Sequence, residues 1–299
     1  TSRSFSRNSL LRKELLSKYK QVTFNDDGLQ LQGDTLIKFL KGHQKAISAL
    51  EIIDDYVLSQ LPELNVISKY GVGTDMIDMI AMGKYGKKFG WTGGVNRRSV
   101  SELVISFAIA LLRHVPASHR EVLSGTWRQH VGGHLSGRTV GVIGCGHIGK
   151  DLIKLLQPFE CSILVNDICN YEDFYNKYNV EDVEKEELLE RADIVTLHVP
   201  LDQSTQNMLS NKRLALMKKS AILINVARGG LVDEIALKNM LLNNRLAGAA
   251  FDVFLVEPPQ DQELLNLPNF LVTPHIGGSA QEAILAMGRA AIEGLEVFS

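Results

Sequence analysis

The stretch Arg138 to Gly149, Arg-Thr-Val-Gly-Val-Ile-Gly-Cys-Gly-His-Ile-Gly, limits the folds open to this chain more than any other. Val140, Val142 and Ile143 are β-branched and set among glycines, which predicts a buried strand, and residues 148–156 have the apolar recurrence of an amphipathic helix. The spacing Gly144-x-Gly146-x-x-Gly149 therefore falls at a strand-to-helix turn. There the first glycine allows the bend, the second lets a pyrophosphate approach the backbone, and the third lets helix and strand pack closely. A second apolar strand over 162–166 ends in Asp167, whose carboxylate can accept hydrogen bonds from an adenosine ribose and repels a 2′-phosphate. The combination predicts a site for NAD rather than NADP; as a mere strand-end turn residue, Asp167 would carry no such meaning.

Downstream, residues 193–199, 221–226, 246–251 and 270–273 read as further strands, with helices near Asn211 and over 233–243. From Thr139 on that makes six strands, the number a doubly wound dinucleotide-binding domain needs. The charge run 181–191 reads as a solvated helix face. Upstream, residues 1 to about 95 alternate strands (22–24, 46–50, 66–69) with helices capped by Asn8 or Ser9, by Asp34 and by Asp54, which predicts a smaller parallel α/β domain. Lys69-Tyr-Gly71-Val-Gly73-Thr-Asp75 is expected to lead into a helix from about Met76, so that its amides could hold a carboxylate or phosphate. A plain strand-to-helix connection is the alternative. A helix over 101–114 is expected next, ended by Pro116.

At 299 residues the chain is long for one core, which suggests two domains. A net charge of −2 and a pI near 6.4 offer no basic stripe for nucleic acid or an anionic membrane. Cys145, Cys161 and Cys169 cannot all pair and lack metal-ligand spacing, so no metal is expected and a reducing, cytoplasmic setting is. The most apolar run, 103–112, is well short of the ~20 residues of a spanning helix, and no signal peptide is visible. The chain starts without Met at what reads as a loop entering a helix, so a first strand trimmed from ahead of Thr1 is one expectation.

Three polar residues stand at or just past strand ends, where such sheets bind ligands: Arg228 after Asn225-Val-Ala, Glu257 in Val256-Glu-Pro-Pro259, and His275 in Pro274-His-Ile-Gly-Gly278. Singly each has a dull reading, as a loop salt bridge, a surface acid and a packed loop histidine. Together they are the set that reduces a 2-keto acid with a nicotinamide. The guanidinium pairs with the carboxylate and polarises the ketone, the histidine delivers a proton as hydride arrives, and the glutamate orients the imidazole.

With those residues in view, the sequence resembles the D-isomer-specific 2-hydroxyacid dehydrogenase family, which includes D-3-phosphoglycerate dehydrogenases. The likeness runs in order through Gly71-Val-Gly73-x-Asp75, Val95-Asn-x-x-Ser-Val-x-Glu102, the glycine turn, and His198-Val-Pro200 with Thr205. It continues through Asn225-Val-Ala-Arg-Gly229 with Val232-Asp-Glu234, Phe251-Asp-Val-Phe254 with Glu257-Pro258, and Pro274-His-Ile-Gly-Gly278. The resemblance implies an α/β fold: a Rossmann-type doubly wound domain over 96–275 and a smaller flavodoxin-like substrate domain from 1–95 and 276–299.

It also implies an NAD-dependent oxidoreductase of D-2-hydroxy acids, with Arg228 binding substrate, His275 as acid/base and Glu257 as its partner. Gly144, Gly146, His147, Ile148 and Gly149 would line the pyrophosphate and Asp167 the ribose. Val199, Pro200, Thr205, Val226, Ala227, Arg228, His275, Gly277 and Gly278 would flank the cofactor, and Asp252 would meet the nicotinamide carboxamide. Val72, Gly73, Arg228 and His275 would hold the substrate, and a homodimer would form through the NAD-binding domain. The family's corepressor branch keeps the same triad, so an NAD(H)-sensing binding protein is the alternative; a glycine-loop protein for a mononucleotide is a third. Where phosphoglycerate dehydrogenases carry an Arg-Ser-x-Thr-like phosphate segment, residues 46–53 read Ala-Ile-Ser-Ala-Leu-Glu-Ile-Ile, with an acid and no arginine. A phosphate-bearing substrate is therefore not expected, although Lys69, Arg97 and Arg98 lie close in sequence to the carboxylate loop.

Overall fold

The computed structural model describes residues 1–296. Two compact units make up the chain: Thr1–Asn96 together with the segment from Gly278 onward, and Arg97–Gly277.

In the smaller unit, β1 (Lys45–Ser48), β2 (Val66–Lys69) and β3 (Lys88–Gly90) form a parallel sheet in that order. One apolar cluster contains Leu36, Leu40, Val57, Ile67 and Met82, and another contains Phe5, Leu11, Leu15, Ile47 and Ile292. β2 is buried along its whole length, and its two polar residues are bonded: Ser68 to the Ala291 carbonyl and Lys69 to the Ala49 carbonyl. Side-chain caps start the helices: Asn8 accepts the amides of Leu10 and Leu11 ahead of Ser9–Lys18, and Asp54 accepts that of Val57 ahead of Asp55–Ser59. The helix Gln281–Gly294 packs on this sheet, close enough for the Ser68 hydroxyl to donate to the Ala291 carbonyl at 2.7 Å.

Three local expectations are corrected here. Residues 22–24 form no strand: the Thr1 amine donates to the Thr23 carbonyl and the Ser2 amide to the Ile47 carbonyl, both at 2.9 Å, so Thr1 and Ser2 lie between that segment and β1 and take bonds a direct pairing would use. The helix expected from Met76 begins at Met79, and Asp78 caps it through the Ile80 and Ala81 amides. Any anion at Val72 and Gly73 is thus a matter for loop amides, not a helix terminus. Asp34 lies in the first turn of Gly33–Leu40, while Gln32 holds the N-cap position.

The larger unit carries β4 (Thr139–Ile143), β5 (Ser162–Asn166), β6 (Val180–Asp182), β7 (Ile194–Leu197), β8 (Ile222–Asn225), β9 (Gly248–Phe251) and β10 (Phe270–Val272). All seven pair in parallel, in the order β10-β9-β8-β7-β4-β5-β6. Chain order runs outward from β4 in both directions, so the switch point lies between β4 and β7, where the glycine turn leaves β4. The strands β7, β8 and β9 are buried throughout.

Six strands were expected, and β6 is the addition. It hides at the head of the charged run because an edge strand needs one partner and no buried face, and Glu181 and Asp182 stay exposed. The helix in that run is Lys185–Arg191. The helix expected over 101–114 spans Arg97–Leu112, and Pro116 does not end it. His114 turns the chain at φ 54°, and Pro116 sits in the first turn of Val115–Leu123, where its missing N–H has no helical partner to lose. Among the described residues no single helix is long and apolar enough to cross a membrane.

Candidate active site

At the glycine turn, two of the three glycines are required by close approach within the protein. Gly144 has φ 100°, and a Cβ on it would lie 2.6 Å from the His198 carbonyl; one on Gly149 would lie 2.2 Å from the Gly144 carbonyl. Gly146 differs: a Cβ there would meet nothing within 4 Å, which leaves that face of the turn open for a ligand. It also begins the helix His147–Leu156, whose N-terminus has no side-chain cap. An open backbone face at an uncapped ten-residue helix fits a pyrophosphate.

Asp167, just past β5, does more than wait for a ribose. Its Oδ2 accepts the Cys145 amide at 2.5 Å and its Oδ1 accepts the Cys169 amide at 2.8 Å, so the carboxylate ties the glycine turn to the end of β5. An ionised carboxylate offers about four lone-pair sites, which leaves capacity for hydroxyl donors. Burial pushes the Cys145 thiol up to about 11, so the one cysteine inside the turn stays protonated and unreactive near neutral pH.

The second cluster is built by three loops at the ends of β8, β9 and β10. Asn225, the last residue of β8, accepts the Ala227 amide on its side chain at 3.1 Å and donates to the Arg228 carbonyl at 2.9 Å, which folds the turn that carries Arg228. Gly229 brings this turn against the next loop, since a Cβ on it would lie 2.0 Å from the Phe254 carbonyl carbon. The Phe254 amide donates to Glu257 Oε1 at 3.1 Å and the Leu255 amide to Glu234 Oε1 at 2.9 Å. Burial holds the Glu234 carboxyl above its usual range.

Glu257, before a cis Pro258, places its other oxygen 2.9 Å from His275 Nδ1. A carboxylate only accepts, so Nδ1 carries the proton and Nε2 is left to exchange one. His275 itself has φ 54° and a half-exposed side chain.

Asp252 holds that conformation. It is 1% exposed, and its carboxylate accepts the Ile276 and Gly277 amides, each at 2.7 Å, together with the Thr273 hydroxyl. The His275 amide donates to the Asp252 carbonyl at 2.9 Å. Asp252 was expected to face a carboxamide; in the structure its oxygens are spent first on the turn that presents His275.

The other candidate residues fall in separate places. Thr205 closes the turn after β7, its hydroxyl donating to the Pro200 carbonyl at 2.8 Å and accepting the Asp202 amide at 2.8 Å. Val199 flanks Gly144, and Val226 and Ala227 are nearly buried beyond β8. The Ser99 hydroxyl donates to the Gly277 carbonyl at 2.6 Å. Gly278 lies beside Asn96, and Val72 accepts the Trp91 indole N–H at 2.9 Å; these belong to the smaller unit. Arg98, whose neighbourhood suggested a loose cation, forms a two-pronged pair with the buried carboxylate of Asp151 at 2.9 and 3.0 Å.

The sequence model of the D-isomer specific 2-hydroxyacid dehydrogenase, NAD binding domain, matches residues 105–277, more than half of the chain. The chain belongs to this family. It is 37% identical over 240 residues to a D-3-phosphoglycerate dehydrogenase of Bacillus subtilis, covering 80% of this chain and 46% of that protein. It thus spans about half the length of that relative. A glyoxylate reductase of Pyrococcus horikoshii is 34% identical over 95% of this chain and 88% of its own. The crystal structure of a protein from Thermus thermophilus superimposes with a TM-score of 0.84 at 31% identity, covering 95% of this chain and 91% of that one.

For a 2-hydroxyacid dehydrogenase domain, the supports are the part that motif reading passes over. Asn225 and Glu234 lay within recognised motifs without a role, and Asp252 had a different one. Their common signal is a polar residue at or just beyond a strand end, or at the head of a helix, where a backbone turn needs a partner.

Proposed function

We propose that this chain is an NAD-dependent oxidoreductase that interconverts a D-2-hydroxy acid and its 2-keto acid. The observation that carries the reading is the 2.9 Å contact between His275 and Glu257, whose loop Gly229 packs against the Arg228 turn. Bound at the glycine turn, NAD would supply the hydride acceptor or donor at the substrate's second carbon. Arg228 would pair with the carboxylate, Val72 and Gly73 would contribute loop amides to it, and His275 Nε2 would take the hydroxyl proton in oxidation or return it in reduction. Glu257 keeps a proton on Nδ1 and fixes the rotation of the ring.

On the cofactor side we assign the turn Gly144, Gly146, His147, Ile148 and Gly149 to the pyrophosphate and Asp167 to the ribose. Val199, Pro200, Thr205, Val226, Ala227, Gly277 and Gly278 flank the remainder. The helix Val115–Leu123 has no buried residue, and Val122, Leu123, Trp127 and Val131 are exposed nearby, which supports a homodimer through this unit. Three unpaired cysteines support a reducing, cytoplasmic setting, and the charge balance supports neither nucleic acid nor membrane as partner.

The test is NADH oxidation against a panel of 2-keto acids, with His275→Gln beside the wild type. Loss of turnover in the variant with NADH binding kept is the expected result. Wild-type rates in the variant would sink the assignment, and NADH binding without turnover by the wild type would favour the sensing protein.

A further inference from the structure

We propose that Glu234 is a positioning residue for the His275–Glu257 pair, because it holds the loop from which Glu257 reaches the imidazole. The proposal rests on the oxidoreductase reading above and adds a residue to its machinery. Every group it involves belongs to the larger unit.

Glu234 stands on a fixed platform. Leu209 and Val232 form a parallel bridge, in which the Leu209 amide donates to the Leu231 carbonyl at 2.9 Å and the Asp233 amide to the Leu209 carbonyl at 3.1 Å. Asp233 then caps the helix Glu234–Leu242 by accepting the Ala236 amide at 3.0 Å. Leu231 and Leu237, on either side, are fully buried, so the first turn of this helix is locked by packing as well.

The loop that Glu234 meets has less of its own to hold it. Pro258 and Pro259 bring no N–H, and Leu255 and Val256 are 67% and 61% exposed. Two consecutive amides make attachments of different kinds. The Phe254 amide donates to Glu257 Oε1 at 3.1 Å, which shapes the loop from within, and the Leu255 amide donates to Glu234 Oε1 at 2.9 Å, which ties the loop to the helix. Gly229 abuts the same peptide, since a Cβ on it would lie 2.3 Å from the Leu255 nitrogen. Two residues after Leu255, Glu257 then has its Oε2 set 2.9 Å from His275 Nδ1.

What the loop takes from Glu234 is an acceptor oxygen rather than a charge. Burial first, and the Asp261 carboxylate after it, hold the Glu234 carboxyl above its usual range. Glutamine keeps the acceptor at the same reach, whereas aspartate keeps the charge on a side chain one methylene shorter.

The experiment uses NADH and the 2-keto acid of the panel above that turns over fastest. Asn225 folds the Arg228 turn independently of Glu234, so Glu234→Ala should lower kcat by about tenfold or more while KM for the keto acid and NADH binding stay near wild type. Glu234→Gln should stay within about threefold of wild type, and Glu234→Asp should fall with Ala. Adding Glu234→Ala to Glu257→Ala should cost nothing beyond Glu257→Ala alone, because the one residue acts through the other. Should Glu234→Ala not fold, Glu234→Asp takes its place in both comparisons. An unchanged kcat, a glutamine variant as slow as alanine, or losses that multiply in the double variant would overturn the proposal, and so would failure of both Ala and Asp variants to fold, which would make the role one of stability. In each of those cases loss of turnover in His275→Gln would leave the oxidoreductase reading intact. Wild-type rates in His275→Gln would overturn both.

Discussion

Replacing Asp252 tests whether His275 is positioned from beneath. In Asp252→Ala, the Ile276 and Gly277 amides lose acceptors at 2.7 Å in a setting that is 1% exposed at Asp252, and the Thr273 hydroxyl loses its partner too. A stranded buried donor costs about 1–3 kcal/mol, so two amides cost about 3 kcal/mol. In a domain of this size that lowers the melting temperature by roughly 6–12 °C. The strained φ of His275 then has less to hold it, and the 2.9 Å contact with Glu257 loosens. Misplacing a catalytic group by about 1 Å costs about 100-fold in turnover.

Asp252→Asn keeps the volume and one acceptor, so it should fall between wild type and Ala on both scales. The assay pairs a urea melt with NADH-linked turnover and NADH binding at a temperature where every variant is folded. If Asp252→Ala turns over within about threefold of wild type under those conditions, the positioning argument is wrong.

Gly229→Ala should drive its methyl into the Phe254 backbone, at 2.0 Å, and separate the Arg228 turn from the loop of Glu257. A rise in KM for the keto acid of about tenfold or more with NADH binding near normal is expected, and an unchanged KM would refute it. Asp167→Ala releases the Cys145 and Cys169 amides as well as any ribose contact, so NADH affinity should drop and the preference over NADPH should shrink. A ratio of affinities equal to wild type would place ribose recognition elsewhere.

His198, beside the glycine turn, has its pKa driven down to about 3 by burial, against 6.5 for the free side chain. The unfolded chain therefore binds the proton first, and stability falls as pH drops from about 6.5 towards 3. Between pH 7 and pH 5 the loss from this residue is about 2 kcal/mol. Urea melts of His198→Phe should show a correspondingly shallower pH slope, and an equal slope would show that His198 is not the group.

What the sequence by itself determined is local and periodic. Helix caps at Asn8 and Asp54, the β-branched runs of β4, β5 and β8, and the glycine spacing after β4 are set by short-range sterics and hydrogen bonding, which act before any partner is met. The doubly wound class follows from them, because buried parallel strands alternating with helices have few ways to pack. Elements needing no apolar face were illegible: β6 is an exposed edge, and residues 22–24 have strand composition but no direct bond to β1. Only the tertiary structure decided the supports of the candidate site. Arg228, Glu257 and His275 could be picked out as residue types at strand ends, but contacts among Asn225, Gly229, Asp252, Glu257 and His275 depend on the register of β8, β9 and β10. That register is settled by the packing of the whole sheet, so residues far apart in sequence become hydrogen-bond partners for a reason no single segment contains.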